Sequence, residues 1–369
     1  MKQGDTLQNV MIQLKDEAQR KRDFISPSSA LFLEDDGKTL RISRGEQGNK
    51  AGGEERTVEV LQTAEVLQTT ELFHRQVASA LSIPAKYYDL MQKQKPELLA
   101  TNVNSWLGSR DTSYMIRTLD YGSGQTARAF LSDRYRRIDN LEIAMAVLPI
   151  FMGNEQYEVM SAAVTSNRLY LKICFHLKRY EVVPGDWVEF GCIISNSEVG
   201  LGAVTIRPFL NRLICTNGCV VNDFGERRHH VGRQARAIED SIELYSDEAI
   251  EAEDKAFLLK LQDVAKATLD ESKYPLIVGR LQEASMAPIT GKIANVVELT
   301  GKTFSLNQAE QESVLDYLIR GGDMSMYGLS NAVTRMSQDV KSYDRATELE
   351  SIGWDIVSMP PAQWREING

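Results

Sequence analysis

Ser113 to Leu119 and Thr126 to Leu131 alternate apolar and polar residues, and Tyr121-Gly122-Ser123-Gly124 stands between them. A period of two marks strands, and glycines at a short connection mark a hairpin turn. An antiparallel pair is expected here. Asp139-Asn140 then opens an apolar helix over Leu141 to Phe151. Strand patterns follow at Tyr157 to Thr165, Arg168 to Phe175, Val188 to Ser195 and Val204 to Pro208, with a Pro184-Gly185-Asp186 turn between the second and third. A hairpin, a helix and a run of strands predict an α+β fold: a mainly antiparallel sheet with packed helices, followed by a helical C-terminal region.

The flanks differ from this middle. Residues 1–57 read as a polar N-terminal arm, with helix formers from Leu14 to Arg22, an interruption at Ser26-Pro27, and loop composition from Arg44 to Gly53. Residues 58–240 form the expected α+β core. Phe73, Val77, Ala80 and Leu81 predict a helix over Thr70 to Ala80, and Ile83-Pro84 separates it from a second helix ending before Pro96. Residues 241–369 read as an acidic helical region. Its expected helices run through Ala249 to Val264, Glu310 to Ile319, Leu329 to Val340 and Tyr343 to Ile352, with Gly321-Gly322 and Gly353 as helix ends. At 369 residues the chain is long for one core, so two or three packed units are expected. No run of about 18 apolar residues suggests a membrane span. The first residues lack a signal-peptide core, so a cytoplasmic protein with reduced thiols is expected.

Few residues form a set that could carry out catalysis. Cys215 and Cys219 lie near His229 and His230, but adjacent histidines do not easily meet one ion tetrahedrally, and metal-free thiols are expected. If Leu213 to Val220 is a strand, positions 215 and 219 share a face. His176 falls in a strand pattern, and no serine- or cysteine-nucleophile motif accompanies the histidines. No phosphate-loop sequence occurs, and Gly122-Ser123-Gly124 precedes a strand rather than a helix. No cofactor and no enzymatic activity are expected.

Charge is the stronger signal. The chain carries a formal net charge of −9, unevenly spread. From Asn102 to Arg236 there are 14 Arg and 2 Lys against 13 acids, a balance of +3; from Ser241 to Gly369, 12 basic against 21 acidic residues give −9. Arginine presents a planar fork that suits phosphate. One cluster holds Arg128, Arg134, Arg136 and Arg137 with Phe130 and Tyr135; a second holds Arg227, Arg228, Arg233 and Arg236 around His229-His230. Interleaved aromatics and arginines can stack bases while neutralising phosphates. Arg128, Arg134, Arg136, Arg227, Arg228, Arg233 and Arg236 are the candidate nucleic-acid contacts. Strand alternation would put Arg134 and Arg136 on one face, turn Tyr135 inward, and pair Arg137 with an acid such as Asp139. The alternative is a set of solvated arginines paired with local acids. Asn196-Ser197-Glu198-Val199-Gly200 and Cys215-Thr216-Asn217-Gly218 read as tight turns at sheet edges.

Several of these stretches carry a resemblance. Ile83-Pro84-x-x-Tyr87-Tyr88, Arg128 to Tyr135, Gly185-Asp186, Gly191 to Gly200, Cys215 to Gly218, Tyr327 to Thr334 and Tyr343 to Glu350 resemble an uncharacterised family of phage- and plasmid-borne proteins, across roughly residues 70–355. That resemblance implies a mobile-element setting and no particular activity. The order hairpin, helix, strands is also similar to single-strand annealing recombinases of phages, which form rings that hold single-stranded DNA along an arginine- and lysine-lined groove. The reading that follows is a homo-oligomeric protein that holds single-stranded nucleic acid in recombination or replication. The other reading is a non-enzymatic, oligomeric interaction protein of a mobile element, acting for example against host defence, with no nucleic-acid role.

Overall fold

A computed structural model describes residues 1–43, 64–135, 137–152, 156–223, 226–228, 247–268 and 270–369. Thr6 accepts a hydrogen bond from the Asn9 N–H and opens helix α1 (Leu7–Arg20), whose Val10 and Leu14 are buried on one face. The helix passes directly into strand β1 (Lys21–Pro27), followed by β2 (Leu31–Leu33), β3 (Thr39–Ile42) and β4 (Glu65–Thr69). The segment read as a polar arm thus contributes a helix and three strands to the packed structure. Lys21 and Arg22, read as the end of a helix, begin a strand instead.

Thr70 caps α2 (Glu71–Ala80), and Pro84 precedes α3 (Ala85–Gln94). Pro96 starts a helix outside the expectations, α4 (Pro96–Gly108), at a position where a missing N–H leaves no intrahelical bond unmade. The expected hairpin is β5 (Ser113–Asp120) and β6 (Gln125–Ser132). Its turn is held by the Asp120 carboxylate, which accepts from the N–H groups of Gly122 and Gly124. These strands form a first sheet in the order β1-β5-β6-β4-β3-β2. Its one parallel pairing among the described strands joins β4 to β6. Phe73, Val77, Tyr88, Met91, Leu99 and Val103 pack from α2, α3 and α4 against Phe24 and Ile116 of this sheet.

His74 sits inside that core. One ring nitrogen lies 2.7 Å from Thr69 Oγ1 and the other 2.8 Å from the Tyr88 hydroxyl. Burial holds its pKa down to about 4, from the ordinary 6.5. The unfolded chain therefore binds a proton there before the folded chain does. The stability from neutral His74 is complete above pH 6.5 and is lost as pH falls toward 4, by roughly 3 kcal/mol. Urea unfolding of the wild type and of His74→Gln from pH 7 to pH 4 should show a steeper acid loss for the wild type; parallel curves would refute this.

The expected apolar helix, α5 (Asn140–Phe151), begins with a capping box between Asp139 and Glu142. A second sheet follows: β7 (Tyr157–Val164), β8 (Leu169–Val183), β9 (Asp186–Asn196), β10 (Val204–Arg212), β11 (Asn217–Val220) and the short β12 (Glu226–Arg228). Its order is β11-β10-β9-β8-β7, with β12 also on β10, and every described pair is antiparallel. The fold class is α+β as expected, with two sheets where one was expected. Helices α6 (Asp247–Ala267), α7 (Tyr274–Ser285), α8 (Ile293–Thr303), α9 (Gln308–Gly321), α10 (Met326–Met336), α11 (Tyr343–Val357) and α12 (Pro361–Asn368) complete the chain.

The second sheet is covered on both faces. Leu169, Leu171, Ile173 and Phe175 of β8 pack with residues of α1, α5 and α6, while Tyr170 and Cys174 pack with Tyr343 of α11. Burial on both sides explains why β8 and β9 read as near-continuous apolar runs. Gly322 closes α9 with left-handed backbone, as expected. Gly353 does not end a helix: it lies inside α11, where a Cβ would come within 2.2 Å of Thr334 Cγ2 of α10. It is the point of close approach between those two helices.

All four cysteines are free thiols. Cys174 and Cys192 are buried, and burial pushes the Cys192 thiol up to about 12. β11 begins only at Asn217, so the exposed Cys215 precedes the strand and shares no face with Cys219. His229 and His230 lie outside the described residues. Among the described residues no group of three or more His, Cys, Asp or Glu could hold a metal ion. No described helix is long and apolar enough to cross a membrane.

Candidate functional site

β9 ends at Asn196, and the chain turns through Ser197-Glu198-Val199-Gly200 before entering β10 at Val204. Glu198 fixes this turn from below. Its carboxylate receives Lys21 Nζ of β1, Arg128 Nη2 of β6 at 2.7 Å, and the Asn140 N–H at the start of α5, also at 2.7 Å. Its main-chain carbonyl accepts from Arg117 Nη1 of β5 at 3.0 Å. Arg117, wholly buried, also binds Asp139 at 2.5 Å and Asp23 at 3.1 Å. Three cations thus meet three carboxylates between the two sheets. Burial and Asp139 would raise the Glu198 pKa, but Lys21, Arg128 and Arg117 outweigh them and lower it. Burial is likewise outweighed at Asp139, where Arg117 and Lys21 bring the carboxyl down to about 2.

The turn on this foundation forms one wall of a polar cleft of about 800 Å³. Tyr170 of β8, Ser195 of β9 and Thr205 and Arg207 of β10 form its floor, and Asp344, Arg345, Thr347 and Glu348 of α11 face them. Arg168, just before β8, enters from the side, its guanidinium donating to the Leu201 carbonyl. The guanidinium lies close against Gly202: a Cβ there would sit 2.6 Å from Arg168 Nη2 and would have to displace it. Three arginines from separate elements therefore line one cleft with two carboxylates. Arg345 is partly neutralised, since it binds Glu310 and Glu348 at 2.7 Å each. Asp344 accepts from Thr165 Oγ1 and from the Asn167 side chain at 3.0 Å.

The arginines singled out in the sequence are distributed differently from expectation. Arg128 is buried and ion-paired to Glu198, so it stabilises the turn and presents no guanidinium to solvent. Arg134 is exposed, but in a turn after β6, so strand alternation does not govern it. Tyr135 reaches the turn instead of the sheet core: its hydroxyl donates to the Ser197 carbonyl at 3.1 Å, and its ring lines the cleft. Arg137 pairs with Asp23 at 3.5 Å, not with Asp139, which Arg117 holds. The backbone of Arg227 and Arg228 belongs to β12, whose register sets position 227 opposite Thr205 of the cleft floor. Arg136, Arg233 and Arg236 lie outside the described residues. His176, on β8, stands between Glu158 at 2.8 Å and Glu189 at 3.1 Å, remote from the cleft lining.

Arg168, Arg207 and Arg345 were not among the sequence candidates. Each stands alone in its segment, so no local cluster marks it; only the fold brings them together. Arg207 alternates with Thr205 and Phe209 in β10, and that period is the one local sign that it shares the floor's face. Compared with family models, with curated proteins and with solved structures, the chain matches none.

Proposed function

We propose that this chain is a non-enzymatic nucleic-acid-binding protein of phages or plasmids that holds single strands in recombination or replication. The observation that carries the reading is the convergence of Arg168, Arg207 and Arg345 on one polar cleft, with Tyr135 at its edge and exposed Arg134 on the adjoining turn. Guanidinium groups next to an aromatic ring suit a phosphate backbone with stackable bases. Position 227 of β12 pairs in register with Thr205 of the cleft floor. Replacing Arg134 and Arg168 together by Ala should weaken binding to an oligothymidylate and lower the salt slope by about 1.4, at roughly 0.7 per lost single-strand phosphate contact. The double variant should fold, since Arg134 is exposed and half-buried Arg168 gives up one hydrogen bond, to the Leu201 carbonyl. Wild-type affinity and slope in the double variant would place the strand elsewhere.

A second reading, an oligomeric interaction protein, draws on the exposed Tyr87 and Leu90 of α3 and Leu98 and Trp106 of α4. Apolar residues left open in this number suit a protein partner or a second copy. Oligomer formation with no retention of nucleic acid at low salt would favour it.

A further inference from the structure

We propose that the cleft takes a single nucleotide, anchored through its phosphate by Arg168, Arg207 and the hydroxyl of Thr347. This rests on the nucleic-acid reading of the same cleft and narrows it to one unit of ligand. Thr347 is only 4% exposed and lines the cleft, and its Oγ1 has no hydrogen-bond partner among the described residues. Other helical hydroxyls of this chain satisfy themselves on the carbonyl four residues back: Thr300 on Val296, Thr303 on Leu299 and Ser351 on Thr347. Thr347 does not. A buried hydroxyl left unmatched is costly, and a phosphate oxygen in the cleft that Thr347 lines with Arg168 and Arg207 would relieve that cost by accepting from it. The first turn of α11, with Ser342 as its cap, lies at the same cleft and adds its positive dipole end.

The carboxylates define the rest of the ligand. Asp344 and Glu348 line the same space and would repel a bare anion. They favour a ligand that carries hydrogen-bond donors beyond its phosphate, as the sugar hydroxyls and base amino groups of a nucleotide do. A cleft of about 800 Å³ is within the size range of small-molecule sites, roughly 300–1,000 Å³. The nucleotide has two sources: a free mononucleotide, or the phosphorylated end of a strand.

The test is calorimetric titration of the full chain with deoxycytidine monophosphate and with inorganic phosphate. One mononucleotide per chain is expected, with inorganic phosphate weaker. Thr347→Val and Arg207→Ala should each weaken mononucleotide binding roughly tenfold, and Thr347→Ser, which keeps the hydroxyl, should retain it. Thr347→Val removes an unmatched polar group, so it should fold at least as stably as the wild type. A strand with a terminal phosphate that binds more tightly than its hydroxyl-ended counterpart makes the strand end the source; equal binding of the two, with mononucleotide binding intact, makes it the free nucleotide. No mononucleotide binding at millimolar concentration, or binding that Thr347→Val leaves unchanged, overturns the proposal. If the mononucleotide fails while long single strands are still retained, this inference falls and the broader reading stands. If the mononucleotide binds while long strands are not retained, the broader reading falls and the cleft remains a mononucleotide site.

Discussion

Lys172→Met should destabilise the chain by about 3–5 kcal/mol, read as a lower urea midpoint with an unchanged slope. Lys172 Nζ lies 2.6 Å from Glu350 Oε2, and neither side chain has any exposure. The pair joins β8 to α11 through the middle of the second sheet's covered face. The ammonium also sits 4.7 Å from the centre of the Tyr343 ring, a cation–π contact that methionine gives up. With the lysine gone, Glu350 is left as an uncompensated buried charge. The cost comes mainly from that stranded carboxylate, so the double variant Lys172→Met with Glu350→Gln should recover most of the stability. A single variant within about 1 kcal/mol of the wild type would show that the pair is not buried in solution.

Glu198→Gln should have a comparable effect, about 3–5 kcal/mol. It leaves Lys21, Arg117 and Arg128 facing only Asp23 and Asp139. It also weakens the hold on the turn that walls the cleft, because the carboxylate is what receives Lys21, Arg128 and the Asn140 N–H. Binding at the cleft should therefore fall with stability. Arg134→Ala, by contrast, should leave stability within about 0.5 kcal/mol of the wild type, since its side chain is exposed. Denaturant unfolding of both variants checks the contrast. Equal stability of Glu198→Gln and wild type would reduce the six-membered charge cluster to a minor feature.

That cluster also shows where sequence reasoning reached and where it stopped. The β5–β6 hairpin was legible because Gly122-Ser123-Gly124 separates two clean alternations. β8 and β9 were legible because burial on both faces keeps their apolar runs unbroken. The first sheet was not legible as a whole. Lys21, Arg22 and Asp23 look like solvated arm residues, yet Lys21 and Asp23 are buried partners of charges almost 100 or more positions away. A charge whose partner is distant in the chain has no local signature. The same holds for the cleft. Arg134 and Tyr135 were noticed because they cluster, whereas Arg168 and Arg207 are isolated and acquire their meaning only when β8 and β10 lie in one sheet. Arg128 shows the converse, a clustered arginine that the fold commits to an internal carboxylate.

The most direct test is retention of a fluorescent oligothymidylate by the wild-type chain as salt is raised over about a decade of concentration. Binding is expected at low salt, its affinity falling linearly on logarithmic axes with salt at roughly 0.7 per phosphate neutralised. No binding at the lowest salt, or binding indifferent to salt, would contradict it.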